Sequence, residues 1–219
     1  MEKKIIFTKD GSHSIFIKEI NETYHSLHGA ISESNHVFIK NGLKNNDKKQ
    51  LKILEIGFGT GLNALLTLIN ADEKNIKYTS IEPFPLEGFI YKKLNFHKLL
   101  NINKDIFLQL HCCNWETDIQ ISDNFTLHKT KTTLENYKYN EQNDIIFFDA
   151  FAPNKQSEMW KKSILRKCFK LINFEGYLVT YCAKGTVKRN LKEVGFVVET
   201  LSGPPGKREM IRAKKINDK

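Results

Sequence analysis

No apolar run in the 219-residue chain approaches the roughly 18 residues of a membrane-spanning helix, so a helical membrane protein is not expected. The start, Met1-Glu2-Lys3-Lys4-Ile5, leads into a short alternating stretch without an apolar h-region. Neither a signal peptide nor a transit peptide is therefore expected, and the cytoplasm is the expected address. Cysteine is scarce. Cys112, Cys113, Cys168 and Cys182 form no C-x-x-C pair, which argues against a zinc ribbon or redox motif, and neighbours such as Cys112 and Cys113 bridge each other only with strain. His13, His25, His28, His36, His97, His111 and His128 show no ligand spacing, so no metal is expected. Repeats and low-complexity segments are also lacking. Arginine is rare, with four among 34 basic residues.

What is present is the composition of a globular domain: 40% hydrophobic residues, 27% charged and a mean hydropathy of -0.43. The 34 basic residues against 25 acidic ones leave a net charge of +9, which invites a polyanionic partner. Thirty lysines beside 20 asparagines also fit the codon drift of an AT-rich genome, so global charge says little. Its distribution says more. From Lys184 to Lys219 there are ten basic and four acidic residues, which places +6 of the +9 in the last sixth of the chain.

Around Asp10-Gly11, two apolar stretches, Ile5-Ile6-Phe7 and Ile15-Phe16-Ile17, predict a β-hairpin. Apolar residues between His28 and Leu43 fit a helix ended by Gly42 and the polar run Lys44 to Gln50. Residues 1–50 thus read as an extension before a main domain, 51–219. There, short apolar runs alternate with helical stretches, the pattern of a parallel sheet covered on both faces. Strands are expected at Lys52 to Ile56, Ile76 to Ile81, Phe125 to His128, Asp144 to Phe148, Gly176 to Cys182, Phe196 to Thr200 and Glu209 to Lys214. Helices are expected at Leu62 to Ile69, Leu86 to Asn95, Lys104 to Cys112, Glu158 to Leu171 and Thr186 to Val194. The expected fold is α/β: a Rossmann-like sheet of seven strands with helices on both faces, as in class I methyltransferases, with a small N-terminal extension.

The stretch Leu54-Glu55-Ile56-Gly57-Phe58-Gly59-Thr60-Gly61-Leu62-Asn63 runs an apolar strand into a glycine-rich turn that opens a helix. Backbone there can approach a ligand closely while the helix N-terminus points donors at it. A dinucleotide site calls for G-x-G-x-x-G, but position 62 is Leu, which disfavours an NAD-linked oxidoreductase. Glu55 before Gly57, Gly59 and Gly61 suits S-adenosylmethionine, because a carboxylate there can engage the cationic methionine end directly or through water. Asn63 joins the expected cofactor set. Glu82 ends the second strand, where it can accept both ribose hydroxyls; NAD sites use a similar acid, so Glu82 does not separate the two cofactors. The fourth strand runs out as Phe148-Asp149-Ala150-Phe151-Ala152-Pro153, similar to the Asp-Pro-Pro-Tyr type motif of nitrogen methyltransferases. In methyl transfer, Asp149 can orient an amine and take its proton, and Phe151 can stack on a base. The alternative is that Asp149 caps the next helix. Trp115 and Trp160 read as packing aromatics.

These segments together resemble the methyltransferase part of the bacterial tRNA 5-methylaminomethyl-2-thiouridine biosynthesis family. Residues Asp149 to Trp160 and Leu54 to Asn63 carry most of the likeness, extended by Tyr24 to Ala30, Glu33 to Phe38 and Lys207-Arg208-Glu209-Met210. The resemblance implies S-adenosylmethionine-dependent methylation of the 5-aminomethyl group on the wobble uridine of tRNA. It matches Asp149 and Phe151 to the acceptor site, and Gly57, Gly59, Gly61 and Glu82 to the cofactor site. Two departures stand out. Ala150 replaces the family's usual Gly, and the turn after the third strand, His128-Lys129-Thr130-Lys131-Thr132, lacks the acid many methyltransferases place there for adenine. Lys155, Arg189, Lys207 and Arg208 are the residues expected to meet anticodon-stem phosphates. The family's bifunctional form adds an FAD-dependent oxidase domain, for which this chain has no room. A separate oxidase, or upstream enzymes that form the aminomethyl group, are the expected pathway partners. Two rival readings are a same-fold methyltransferase acting on a small-molecule or protein amine, and a tRNA-binding module without catalysis.

Overall fold

A computed structural model describes residues 2–138 and 141–216; the end of the basic stretch read to Lys219 lies outside them. The chain opens with the expected hairpin, β1 (Lys3–Phe7) paired antiparallel with β2 (His13–Ile17). Gly11 in its turn has φ 80°, a conformation that costs glycine nothing. A two-residue strand, β3 (Glu22–Thr23), completes a small sheet. Helix α1 (Ala30–Ser34) follows and widens into a π-type turn over Asn35–Lys40 before a short 3₁₀ turn at Leu43–Asn45. Asp10 ties hairpin to helix, accepting from Ser12 N and, at 2.9 Å, from both Ser32 N and Ser32 Oγ. Burial alone would raise the Asp10 pKa, but hydrogen bonds from Ser12, Ser32 and Thr8 hold it down to about 2.

The main sheet begins with β4 (Gln50–Ile56), α2 (Leu62–Ile69) and β5 (Asn75–Ile81). Three helices follow: α3 (Gly88–Tyr91), α4 (Phe96–Leu99) and α5 (Lys104–Cys112). Next come β6 (Asp118–Ser122), β7 (Phe125–Thr130), β8 (Asn143–Phe148), α6 (Lys162–Leu171) and β9 (Ile172–Thr180). Helix α7 (Gly185–Glu193), β10 (Val197–Ser202) and β11 (Glu209–Lys214) finish the chain. Strand order is β10-β11-β9-β8-β4-β5-β7-β6. The five central strands are parallel, whereas β11 and β6 run antiparallel to their neighbours.

The sheet therefore has eight strands among the described residues, not the expected seven. The addition is β6, an edge strand whose residues are exposed or half-buried, so it lacks the dense apolar run that marks a central strand. The helix expected from Leu86 to Asn95 shrinks to the single turn of α3: Glu87 is still extended, with ψ 144°, and Asn95, with φ -102°, leaves the helical path to cap α4 instead. The helix expected from Glu158 is broken at Lys161, whose ψ of 151° is extended; a 3₁₀ turn at Ser157–Trp160 precedes it.

Alternation along β8 explains the layers. Ile145 and Phe147 face one core with α2, α5 and the N-terminal segment; Ile146 and Phe148 face the other with α6 and α7. All four are fully buried, each contributing about 1.5–3 kcal/mol by the usual transfer estimate. Ile15, Ala30, Val37, Phe38 and Leu43 of the first fifty residues belong to the first of these cores, so that segment is packed onto the sheet rather than built around a core of its own.

Candidate active site

The order of the parallel strands reverses between β4 and β8, and a crevice opens beyond their carboxyl ends, the usual place for a ligand in a doubly wound sheet. The two strand ends are in contact: Asp149 N donates to Ile56 O at 3.2 Å. A Cβ on Gly57 would come within 3.1 Å of Asp149 O. Gly57, Gly59 and Gly61 all have positive φ, at 95°, 49° and 71°, so the turn coils tightly enough to aim backbone into the crevice. A Cβ on Gly61 would also lie 2.8 Å from His111 Nε2. The crevice encloses about 790 Å³, within the roughly 300–1,000 Å³ usual for ligand sites.

Acidic side chains set the polarity of this cavity. Glu82 lines it at the end of β5, accepting from Gly59 N at 2.9 Å and from Phe84 N at 2.8 Å. Burial raises the Glu82 pKa, while those two backbone donors oppose the rise. Asp149 lines it at the end of β8, its Oδ2 accepting from Asn63 Nδ2 at 2.8 Å. Burial and the nearby negative charge of Glu33 push its pKa up to about 7, against the Asn63 hydrogen bond and the positive charge of Lys207. A carboxyl poised there can exchange a proton at neutral pH.

The loop after Asp149 is held at every turn. Tyr181 Oη donates to Ala150 O at 2.9 Å, and Trp160 Nε1 donates to Phe151 O at 2.8 Å. Gln156 Oε1 accepts from Phe151 N at 3.1 Å. Ala150 is not among the residues with positive φ, so the Cβ it adds is accommodated without strain. The Phe151 ring meets Tyr24 edge-on, with centroids 5.3 Å apart. Tyr24 and His25 come from the N-terminal segment and lie directly over the glycine turn. A Cβ on Gly59 would meet the Tyr24 ring at 3.1 Å, and His25 Nε2 shares a 2.6 Å hydrogen bond with Thr60 Oγ1.

Glycine turn, strand-end acid and cavity are the parts that a nucleotide-like cofactor calls for. Residues 77–216 match the model of a family described as S-adenosyl-L-methionine-dependent methyltransferase. The chain belongs to that family. The methyltransferase is 29% identical over 228 residues to the tRNA 5-methylaminomethyl-2-thiouridine biosynthesis bifunctional protein MnmC of Cupriavidus metallidurans, covering 95% of this chain and 33% of that protein. It is 33% identical over 211 residues to the MnmC of Leptospira interrogans serovar copenhageni, covering 89% and 32% respectively. The chain thus spans about a third of the length of these curated relatives. The crystal structure of MnmC2 from Aquifex aeolicus superposes with a TM-score of 0.78 at 26% identity, covering 99% of this chain and 71% of that one.

Most of the residues singled out in the sequence meet in the methyltransferase cavity: Gly57, Gly59, Asn63, Glu82, Asp149 and Phe151, with Lys155 and Lys207 at its edge. Gly61 caps the start of α2 immediately behind the turn. Glu55 departs from expectation. It is fully buried beneath the turn, accepts from Ser80 Oγ at 2.7 Å, and is absent from the cavity lining. Asp149 caps no helix; the next helical turn begins after Gln156. Lys155 Nζ donates to Ile20 O at 2.8 Å, and Lys207 turns inward to pair with Glu33 and to lie 3.9 Å from the centroid of the Tyr181 ring. Arg189 and Arg208 point outward, the latter with 93% of its side chain exposed. Trp160 is buried against Phe148, and Trp115 packs on Phe58, as expected of packing aromatics. Among the described residues no group of His, Cys, Asp and Glu is arranged to hold a metal, and no helix is long and apolar enough to cross a membrane. Sequence reasoning assigned no role to Tyr24, Glu33, Tyr181 or Glu135, all of which line the cavity. Glu135 arrives from the loop after β7, a few residues beyond the turn in which an acid was missing.

Proposed function

We propose that this methyltransferase transfers the methyl group of S-adenosylmethionine to the 5-aminomethyl group on the wobble uridine of tRNA, leaving 5-methylaminomethyl uridine. The observation that carries this reading is Asp149, a carboxyl with a pKa pushed up to about 7, held by Asn63 beside the Phe151–Tyr24 aromatic pair. The printed function of the MnmC relatives supports the choice of substrate. Among the basic residues, Arg189 and Arg208 are exposed where anticodon-stem phosphates can reach them, whereas Lys155 and Lys207 act at the cavity edge. Work in the cytoplasm, with an oxidase or an aminomethyl-forming enzyme supplying the substrate in trans, belongs to the same proposal.

The residues fit the cofactor. Gly57 and Gly59 bring backbone without side chains to the cavity wall, and Glu82 keeps lone pairs beyond its two backbone bonds for ribose hydroxyls. When bound, S-adenosylmethionine supplies a methyl carbon on a positively charged sulfur leaving group. Residues 1–50 form a cover: Tyr24 and His25 sit over the glycine turn and keep bulk water from the reacting atoms. The acceptor nitrogen needs a free lone pair, yet an alkylammonium resembles lysine, with a pKa of about 10.4 in water. Burial lowers that value while it raises the value of a carboxyl, so the cavity brings donor and acceptor of the proton towards each other. Asp149 Oδ1, not occupied by Asn63, then receives the proton from nitrogen, and Phe151 and Tyr24 hold the planar base.

The deciding assay is transfer of labelled methyl from S-adenosylmethionine to tRNA from cells lacking this gene, with the label located by nucleoside mass spectrometry. Conversion of the aminomethyl uridine to its methylaminomethyl form is expected. Label appearing only on small amines or protein, or none despite cofactor binding, would reject the reading.

A further inference from the structure

The cavity wall holds a primary ammonium in a cage of its own. Lys207 Nζ pairs with Glu33 Oε1 and lies 3.9 Å from the centroid of the Tyr181 ring, so a carboxylate and an aromatic face share one positive charge. Glu33 is built into its place: its side chain is 8% exposed, its Oε2 accepts from Ser26 N at 2.9 Å, and Lys207 is the one cation paired with it among the described residues. Tyr181 is anchored by the bond from its Oη to the carbonyl of Ala150, the residue after Asp149. Glu33, Tyr181, Lys207 and Asp149 all line the same cavity, and Asp149 feels the charges of both Glu33 and Lys207.

Cage and occupant differ in how they are fixed. Lys207 belongs to the tight turn from Gly203 to Arg208, whose backbone is closed by Lys207 N to Pro204 O at 2.9 Å and Gly203 N to Arg208 O at 3.0 Å. Only its four-carbon stem is left to move, and with 31% of the side chain exposed that stem has a way out to solvent. Glu33 has no such exit. If Lys207 withdrew alone, a buried carboxylate would be stranded without a cation, which is strongly unfavourable. An incoming ammonium removes that penalty, since it replaces one positive charge and its N–H donors by another while Lys207 regains water. A neutral or acidic group cannot make the exchange. The group in which lysine ends, a methylene carrying an ammonium, is also the group that distinguishes 5-aminomethyl uridine from plain uridine.

We propose that Glu33 and the Tyr181 face form the subsite for the aminomethyl ammonium of the substrate, and that Lys207 occupies it as a stand-in until tRNA displaces it. The proposal rests on the reading of the substrate as an aminomethyl uridine. The subsite complements Asp149. An alkylammonium carries three N–H groups, of which the base takes one proton. Glu33 and the ring hold the nitrogen by what remains, and they face the positive charge that returns to it on methylation. Selectivity follows: a uridine with an uncharged or acidic 5-substituent leaves Lys207 in place and the subsite closed.

The two sides of the pair are expected to respond in opposite ways. At about pH 9, above the Asp149 titration and below that of an alkylammonium, Glu33→Gln should raise KM for aminomethyl tRNA at least about tenfold, with a smaller change in kcat. Lys207→Met empties the subsite and should lower KM severalfold, because no resident group has to be displaced. A purely structural ion pair predicts damage from both. A rise in KM, or no change, in Lys207→Met would overturn the proposal. Methylammonium chloride then probes the subsite without tRNA. At about 0.1 M it should raise the melting temperature of Lys207→Met by about 2–4 °C over the same concentration of tetramethylammonium chloride, which has no N–H to give, and should leave wild type and the Glu33→Gln/Lys207→Met double variant unmoved. Equal melting temperatures in the two salts would overturn the proposal as well. Lys207→Gln, uncharged but still a donor to Glu33, takes the place of the Met variant in both experiments if that variant does not fold. Selective stabilisation by methylammonium without methyl transfer to tRNA would instead reject the substrate reading and leave an alkylammonium subsite.

Discussion

Replacing Asp149 by Asn should stabilise the protein while removing its activity. The folded chain holds Asp149 at about 7 against an ordinary 3.8, so ionising it in the fold costs about three pH units of free energy. At 1.36 kcal/mol per unit this is a ceiling of about 4 kcal/mol. The sign follows from proton binding. Between pH 3.8 and about 7 the folded state holds a proton that the unfolded chain has released, so stability falls as pH rises through that window. Asparagine never ionises and still offers an oxygen to Asn63 Nδ2. The advantage of Asp149→Asn over wild type should therefore be near zero at pH 4, grow to pH 7 and stay level above it. Urea unfolding of both proteins at matched pH measures it, and taking the difference cancels other titrating groups. A difference independent of pH, or a variant less stable at pH 8, would refute the assignment. A gain in stability coupled to loss of turnover is the mark of a strained catalytic group.

Other predictions concern the same neighbourhood. Glu33→Gln removes a negative charge that raises the Asp149 pKa, so the acid limb of kcat/KM against pH should move below about 7; Lys207→Met should move it above. Gly61→Ala forces a φ of 71° on a residue with a Cβ that meets His111, and should lower stability by about 1–3 kcal/mol in thermal unfolding. Exposed Arg208 and Arg189 should each reduce the salt slope of tRNA binding by about 0.7–0.9 when changed to Ala if each meets one phosphate, whereas Lys207→Ala should leave that slope unchanged. His25 and His111 are buried and neutral, lowered to about 4 and about 3 chiefly by burial. The unfolded chain binds protons at these sites first, so they should make stability fall as pH drops below about 6.5, an effect read from urea midpoints and diminished by His25→Gln.

Elements that are buried on both faces were legible, and those that depend on a partner were not. Strand β8 is apolar along most of its length because both of its faces are covered, and β11 and α5 begin and end where periodicity placed them. Edge strand β6 escaped because Ile119 and Ile121 are only half-buried, so its sequence carries little of the pressure that shapes a central strand. The break before α6 escaped for a different reason. Local propensity favours a continuous helix from Glu158, but the Trp160 indole reaches Phe151 O and Asn190 Nδ2 reaches Trp160 O, and these long-range bonds accompany an extended residue at 161.

The same division runs through the site. Gly57, Gly59, Glu82 and Asp149 were visible because each sits at a strand end, and topology alone carries strand ends to the switch point. Tyr24 and Glu33 were visible only as segments of a resemblance, since what gives them a place is a fold-back of the first forty residues over the sheet that no local pattern encodes. Glu55 shows how a motif can mislead in its detail. The spacing from acid to glycine locates the turn correctly, but period-two alternation along β4 decides which face each side chain takes, and Glu55 falls beside Ser80 rather than on the crevice.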